Sequence, residues 1–292
     1  MIKKGIILAG GIGSRLNPLT KSVNKQLLPI YNKPLIFYPL SILMENNIKD
    51  ILIIVNKGQL KEFRKILPEK NNLGIKITYK EQRKPNGLPD AFLIGKNFIK
   101  NHKVALILGD NFFYSNNFKD LFFNNSSFVN GSKIFISRVK KPSLYGVATL
   151  NRNKVIKLEE KPKLTKSKFA VTGLYLFDKK VSKLSKSLKP SSRGELEIID
   201  LLNIYLSKNE LSANVLGGNC KWFDAGSADN LLLASNFVKK MEIQKKTWVA
   251  CLEKISLEKN WTKISNIKKL IKFYGNSNYS KFLISLIKEK KK

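Results

Sequence analysis

Short, largely apolar runs recur through the first 110 positions: 5–9 (GIILA), 51–55 (ILIIV), 75–79 (IKITY) and 104–108 (VALIL). Runs this short and apolar predict strands buried in a sheet. Between them, residues 35–46, 59–67 and 91–99 carry apolar positions at helical spacing. The first of these follows Pro34, a residue suited to a first helical turn. Strand alternating with helix predicts a parallel sheet covered on both faces. Beyond Asp110 the pattern changes. Residues 133–139, 147–150 and 155–158 are shorter and more alternating, as antiparallel strands are. Residues 169–177 (FAVTGLYLF) predict a further strand with a glycine inside it. Residues 196–206 read as a helix, and 227–246 as a long one with Ser227 or Asp229 as N-cap. From Thr247 onward, 256–260, 265–273 and 277–288 predict short helices with polar faces. The expected plan is one α/β domain over residues 1–246 and a helical C-terminal extension over 247–292.

Composition narrows the class. Of the 292 residues, 43% are hydrophobic, which is enough for a full core and excludes disorder as the main description. The two cysteines, Cys220 and Cys251, make no disulfide framework. His102 is the only histidine, so any mechanism needing two is excluded. No run approaches the roughly 18 apolar residues of a membrane span. Residues 6–9 are too short for a signal-peptide core, so a cytoplasmic location and no membrane partner are expected.

The formal net charge is +33, from 54 Lys and Arg against 21 Asp and Glu. Only six of the cations are Arg, the residue that base readout favours. The lysines are spread along the chain, with one dense run at Lys288, Lys290, Lys291 and Lys292. The excess reads as a compositional bias, and no nucleic-acid partner is expected.

The candidate chemistry begins where the first strand ends, at Gly10-Gly11-Ile12-Gly13-Ser14-Arg15-Leu16. A glycine-rich turn leaving a parallel strand brings backbone N–H groups close to phosphate oxygens. It is not a Walker loop, because Gly-Lys-Ser/Thr is absent. It is not the dinucleotide fingerprint, because Leu16 stands where a third glycine belongs. Arg15 in the loop and Lys25 ten residues on suit a polyphosphate whose bridging bond will be broken. Asp110 follows the strand at 104–108, where ligands of open parallel sheets bind, and suits Mg2+. Asp224, in Trp222-Phe223-Asp224-Ala225-Gly226, is a second acidic candidate for the same ion.

These residues add up to a resemblance. Residues 8–16 with Pro18-Leu19-Thr20 and Asn24-Lys25-Gln26-Leu27-Leu28-Pro29 resemble the signature of the sugar-1-phosphate nucleotidylyltransferases. Further matches, in order, are Lys33-Pro34, Tyr38-Pro39-Leu40, Gly109-Asp110-Asn111, Tyr145-Gly146-Val147, residues 158–162 (LEEKP), 170–175 (AVTGLY), Leu188-Lys189-Pro190 and 193–198 (RGELEI). The resemblance covers essentially the whole chain. It implies a Rossmann-like mixed, mostly parallel sheet with flanking helices. It also implies Mg2+-dependent transfer from dTTP to glucose 1-phosphate, giving dTDP-glucose and pyrophosphate, and a homotetramer. The product would feed deoxysugar and cell-surface polysaccharide synthesis.

The resemblance also assigns residues. Leu8, Ala9, Gly10, Gly11, Gly13, Ser14 and Gln26 would surround the nucleotide, and Gln82 and Gly87 its pyrimidine edge. Arg15 and Lys25 would hold the triphosphate, and Asp110 and Asp224 the Mg2+. Asn111, Tyr145, Gly146, Glu160, Val171 and Thr172 would line the sugar pocket, with Lys161 and Arg193 on the sugar phosphate. The reaction needs no protein nucleophile, because the sugar phosphate oxygen attacks the α-phosphorus in line. The protein aligns two anions and neutralises the departing charge.

Four departures from the family pattern stand out. Asn86-Gly87-Leu88-Pro89-Asp90-Ala91 replaces Asp-Gly-Leu-Ala-Gln-Ala and puts a carboxylate near the nucleotide. Ala225 replaces a threonine, and so does Ile199. Asn116-Asn117 and Gly218-Asn219 replace residues of an effector site. UTP or another sugar phosphate as substrate, and a weakened nucleotide-binding homologue, stay open as alternatives.

Overall fold

The computed structural model describes residues 2–115, 130–246 and 248–290. In chain order its strands are β1 (Lys4–Ala9), β2 (Pro29–Ile30), β3 (Lys33–Pro34), β4 (Asp50–Asn56), β5 (Lys76–Gln82), β6 (Val104–Leu108) and β7 (Asn111–Ser115). They continue with β8 (Ser132–Arg138), β9 (Gly146–Asn151), β10 (Lys154–Glu160), β11 (Phe169–Phe177), β12 (Leu211–Val215) and β13 (Cys220–Asp224). The order β5-β4-β1-β6 is parallel throughout. Antiparallel β11 follows β6, so the predicted switch after Asp110 is real. The first half of β11 pairs with β9 of the β9–β10 hairpin, β8 runs along its other edge, and β12 lies parallel beyond β8.

Both faces of the sheet are covered, as the strand–helix alternation predicts. On one face Ile7, Ile53, Val55, Ile107 and Leu174 pack with the helix Phe37–Glu45 and with Phe63. On the other, Ile6, Leu52, Ile54, Leu106 and Phe177 pack with Phe92, Val181, Leu201 and Tyr205. Even and odd positions of one strand thus serve opposite cores, as a period of two requires.

Some boundaries differ from the pattern. The helix expected at residue 35 begins at Phe37. Pro34 instead pairs with Pro29 in a small hairpin, and the N–H groups of Leu35 and Ile36 donate to Leu28 and Gln26. The helix expected over 91–99 is two pieces, Asp90–Ile94 and Lys96–Ile99, meeting at Gly95. A Cβ there would lie 2.8 Å from the Ala91 carbonyl oxygen and 3.2 Å from Leu52, so the glycine lets the helix lie close on the sheet. Strands β2, β3, β7, β12 and β13 were not expected.

Behind the β7–β13 ribbon lies a third cluster, where Leu16, Ile30, Tyr38, Phe112 and Ala225 meet Leu231, Ala234 and Val238 of the long helix Ala228–Lys245. Ser227 caps that helix, its hydroxyl accepting from the Asn230 N–H. The C-terminal helices are Leu252–Glu258, Ile264–Tyr274 and Asn278–Glu289. The first is stitched into the sheet's own core through Leu252 and Ile255. Its Ser256 hydroxyl donates to the Leu73 carbonyl at 2.7 Å. No described helix is long and apolar enough to cross a membrane.

One buried ion pair ties these parts together. The Lys33 ammonium lies 2.8 Å from Glu242, under the Trp248 ring at 4.9 Å. Burial lowers the Lys33 pKa, and Glu242 works against that shift. Glu242 also accepts from the Asn32 amide at 2.6 Å and the Val249 N–H at 2.9 Å. Removing one partner strands a buried charge, so Glu242→Ala should cost about 3 kcal/mol, read as a lower denaturation midpoint. The double change Lys33→Met with Glu242→Leu should recover most of that loss.

Candidate active site

The carboxyl ends of β1, β5 and β6 open onto a cavity of about 330 Å³. Its near wall is the glycine-rich loop. Asn56, the last residue of β4, holds that loop: its side chain accepts from the Gly11 N–H at 3.2 Å and donates to the Gly11 carbonyl at 3.1 Å. Gln82, at the end of β5, donates to the same Asn56 oxygen at 3.1 Å and lies flat against Gly10. A Cβ at Gly10 would sit 2.1 Å from the Gln82 amide nitrogen, so only glycine permits this contact. Gly13 has φ +66° and starts the 3₁₀ turn that carries Arg15.

The opposite carboxylates come together through the β7–β13 ribbon, which sets Asp224 opposite Asn111. The Ala225 N–H donates to the Asp110 carbonyl at 2.9 Å. Lys25, buried in its own 3₁₀ turn, reaches the Asp110 carboxylate at 2.5 Å. The Asn111 amide donates to that carboxylate at 2.9 Å. Burial pushes Asp110 up, but the Lys25 charge and the two hydrogen bonds outweigh it, and its pKa lies below the ordinary value. Asp224 is the reverse. Burial and the Asp110 charge raise its pKa, against the weaker pull of Lys25 and Arg15. Gly226 leaves room for both partners, since a Cβ there would be 2.9 Å from the Arg15 guanidinium and from Asp224.

The far end is built by β9, β10, β11 and the turn before the helix Ile198–Ser207. Arg193, Lys161 and Glu160 meet there, with Arg193 3.2 Å and Lys161 3.6 Å from Glu160. Burial and the Glu197 charge raise the Glu160 pKa against the two cations. Lys161 has φ +42°, a strained region for a residue with a Cβ, and its N–H is held by the Tyr145 carbonyl at 3.1 Å. Tyr145 packs edge-on against Trp222, with ring centres 5.4 Å apart.

Of the expected residues, Leu8, Gly10, Arg15, Gln82, Gly87, Asp110, Asn111, Tyr145, Gly146, Glu160, Lys161, Val171, Arg193 and Asp224 line this one cavity. Ala9, Gly11, Gly13, Ser14, Lys25, Gln26 and Thr172 do not. Thr172 is fully buried, and its hydroxyl donates to the Phe135 carbonyl at 2.8 Å. Gln26 is buried beneath Gly109, its amide oxygen without a partner among the described residues. Asn111 reaches the cavity, but its oxygen is taken by the Trp222 indole N–H at 2.6 Å and the Gly173 N–H at 3.0 Å. Trp222, Tyr175 and Glu197 also line the cavity and were not expected to. Cys220 is buried, its thiol pushed up to about 12, which suits packing rather than chemistry.

A sequence profile of the nucleotidyl transferase family matches residues 4–241. The chain belongs to that family. As a nucleotidyltransferase it is an enzyme. A protein of Neisseria meningitidis serogroup A named glucose-1-phosphate thymidylyltransferase is 42% identical over 287 residues, 98% of this chain and 100% of its own length. A Bacillus anthracis crystal structure described as a glucose-1-phosphate thymidylyltransferase with sucrose superposes with a TM-score of 0.73. It is 40% identical, over 80% of this chain and 94% of its own. A UDP-glucose pyrophosphorylase with UDP-glucose superposes at 0.72. It is 27% identical, over 82% of this chain and 100% of its own.

The departures from the family pattern now have places. Ala225 is fully buried in the third cluster, where a threonine hydroxyl would need a partner. Ile199 lines the cavity against Gly146, where a Cβ would be 2.6 Å from its Cδ1. Asp90 does not itself line the cavity, though Gly87 and Leu88 just before it do. It opens the helix behind it and faces the Asn86 amide at 3.4 Å. Gly218 and Asn219 lie in the turn before β13, and Asn116 and Asn117 lie outside the described residues.

The opposed shifts of the two aspartates make a paired prediction for this nucleotidyltransferase. Asp224 is raised in the folded state, so its charge costs stability at neutral pH. Asp224→Asn should raise the metal-free Tm at pH 7, and the gain should shrink as pH falls through the carboxylate range. Asp110 is lowered, so it stabilises above the ordinary carboxylate pKa, and that stability is lost as pH falls through its folded value. Asp110→Asn should lower the Tm at pH 7. Thermal melts from pH 3 to 8 check both signs.

Proposed function

We propose that the chain transfers a thymidylyl group from dTTP to α-D-glucose 1-phosphate, giving dTDP-glucose and releasing pyrophosphate. The observation that carries this reading is a single cavity with cations at both ends: Arg15, backed by buried Lys25, at one and Lys161 and Arg193 at the other. Two anionic substrates, one at each end, would meet between them. The near-full-length likeness to the Neisseria meningitidis relative supports the choice of substrates.

Asp110 and Asp224 would hold Mg2+. The pair fits a hard divalent cation: both carboxylates line one cavity, brought there by the β7–β13 pairing, and burial with the Asp110 charge raises the Asp224 pKa. When bound, the ion supplies positive charge to the phosphate oxygens. Arg15 and Lys25 offset the charge that builds on pyrophosphate. Lys161 and Arg193 hold the sugar phosphate so that its oxygen faces the α-phosphorus in line. The loop backbone at Gly10, with Gln82, Gly87 and Leu8, takes the nucleotide. Tyr145, Gly146, Glu160 and Val171 take the sugar. Positioning and electrostatics are all that this reaction asks of the protein.

The UDP-glucose pyrophosphorylase likeness favours a second reading, the same chemistry with UTP. A panel of dTTP, UTP, CTP and ATP with glucose 1-phosphate and Mg2+, read as pyrophosphate release, separates the two. Absence of product with every nucleotide at high enzyme would sink both. Within the first reading, Asp110→Asn should cut kcat by about a hundredfold or more while the fold is kept. Arg15→Ala should lower kcat and leave the KM for glucose 1-phosphate little changed. An unchanged kcat with a raised sugar-phosphate KM would contradict the role given to Arg15.

A further inference from the structure

Glu197 sits at the N-cap of the helix Ile198–Ser207, yet its side chain makes no capping hydrogen bond. A side chain at that position ordinarily accepts from the exposed N–H groups of the first turn. This one turns away and spends both carboxylate oxygens on Arg193. Oε2 accepts from Nη2 at 2.7 Å and Oε1 from Nε at 3.2 Å, a two-point contact that fixes the guanidinium plane. Ser191 completes the arrangement. Its hydroxyl donates to Glu197 Oε1 at 2.6 Å and accepts from the Arg193 N–H at 3.2 Å. Glu197 is buried while Arg193 is 42% exposed by side chain, so the carboxylate is the fixed member of the pair. The remaining contact of the guanidinium, from Nη2 to Glu160 at 3.2 Å, reaches across the cavity to β10.

We propose that Glu197 is a positioning residue that aims Arg193 into the cavity, and that Glu160 is the partner Arg193 gives up when a phosphate arrives. The proposal rests on the reading of Arg193 as a sugar-phosphate ligand. Two contacts of unequal kind support the exchange. The Glu197 contact is two-point, buried and locked by Ser191. The Glu160 contact is single, at 3.2 Å from the same Nη2 that lies 2.7 Å from Glu197, and is shared with Lys161. A phosphate dianion competing for Nη2 displaces the weaker partner. Glu160, released, is then free to accept from sugar hydroxyls. Recognition of the sugar ring thereby depends on its phosphate, which rejects unphosphorylated sugars.

Glu197→Gln keeps the shape and removes the charge. It should raise the KM for glucose 1-phosphate about tenfold, the loss of one charge-assisted hydrogen bond. The nucleotide KM should stay within about twofold and the Tm within about 2 °C. In an Arg193→Ala background the same change should add less than about twofold, because nothing is left to aim. A tenfold effect in both backgrounds, or an equal rise in nucleotide KM, would assign Glu197 to the fold and overturn the proposal. Arg193→Ala with an unchanged sugar-phosphate KM would overturn the reading of Arg193 itself, and this proposal with it.

Discussion

At the end of β6 a buried lysine faces a half-buried carboxylate, and the working end of the molecule is arranged around that pair. Neither charge is stable there alone, because removing an ion from water costs several kcal/mol unless a partner is fixed in place. Lys25 is fixed by its 3₁₀ turn, where the Asn24 side chain accepts from the Gln26 N–H at 2.8 Å. That turn leads into the β2–β3 hairpin, which Lys33 pins to Glu242 on the long helix. The same helix begins just after Asp224. The two chain segments that carry Lys25 and Asp224 are thus joined again behind the site. Lys25 favours the ionised form of Asp110, and burial together with the Asp110 charge pushes Asp224 towards protonation.

The parallel half of the sheet was legible because apolar runs buried on both sides leave a plain mark. The ribbon of β7 and β13 was not. Its Phe112 and Phe223 stand in no run that marks a strand; they pair directly across the ribbon, stacked at 5.4 Å, with Tyr38 and Phe237 packed on Phe112. The helix start at Phe37 was misplaced because Pro34 fits a first turn and a hairpin equally well. Backbone hydrogen bonds from Leu35 and Ile36 to the Lys25 segment decide between them.

The site was legible where chemistry leaves charged or glycine residues at motif spacing, and illegible where it depends on support. Asn56 organises the loop and Gln82, yet one asparagine after a strand carries no distinctive signal. Glu197 reads as part of an acidic helix start, and its partner lies four residues back in a turn. Thr172 belongs to a matching motif but faces away: Val171, Gly173 and Tyr175 line the cavity, and alternation along β11 puts Thr172 on the opposite face. Motif membership placed it next to the cavity. Which way its side chain points is settled by strand geometry that no motif encodes.

A chain of net charge +33 suggests that lysines draw its anionic substrates in, but the cavity has the opposite balance. Asp110, Asp224, Glu160, Glu195 and Glu197 line it against Arg15, Lys161 and Arg193, five carboxylates to three cations. Adding buried Lys25 still leaves one negative charge in excess. The lysine surplus therefore acts at a distance, through a field that salt screens within about 10 Å at 0.1 M. At contact, the protein alone does not neutralise a triphosphate and a sugar phosphate together. That deficit, concentrated at Asp110 and Asp224, is what the proposed divalent cation would offset. It also explains why Arg193 must be tightly aimed: among so many carboxylates, a loosely held guanidinium would be spent on the protein itself.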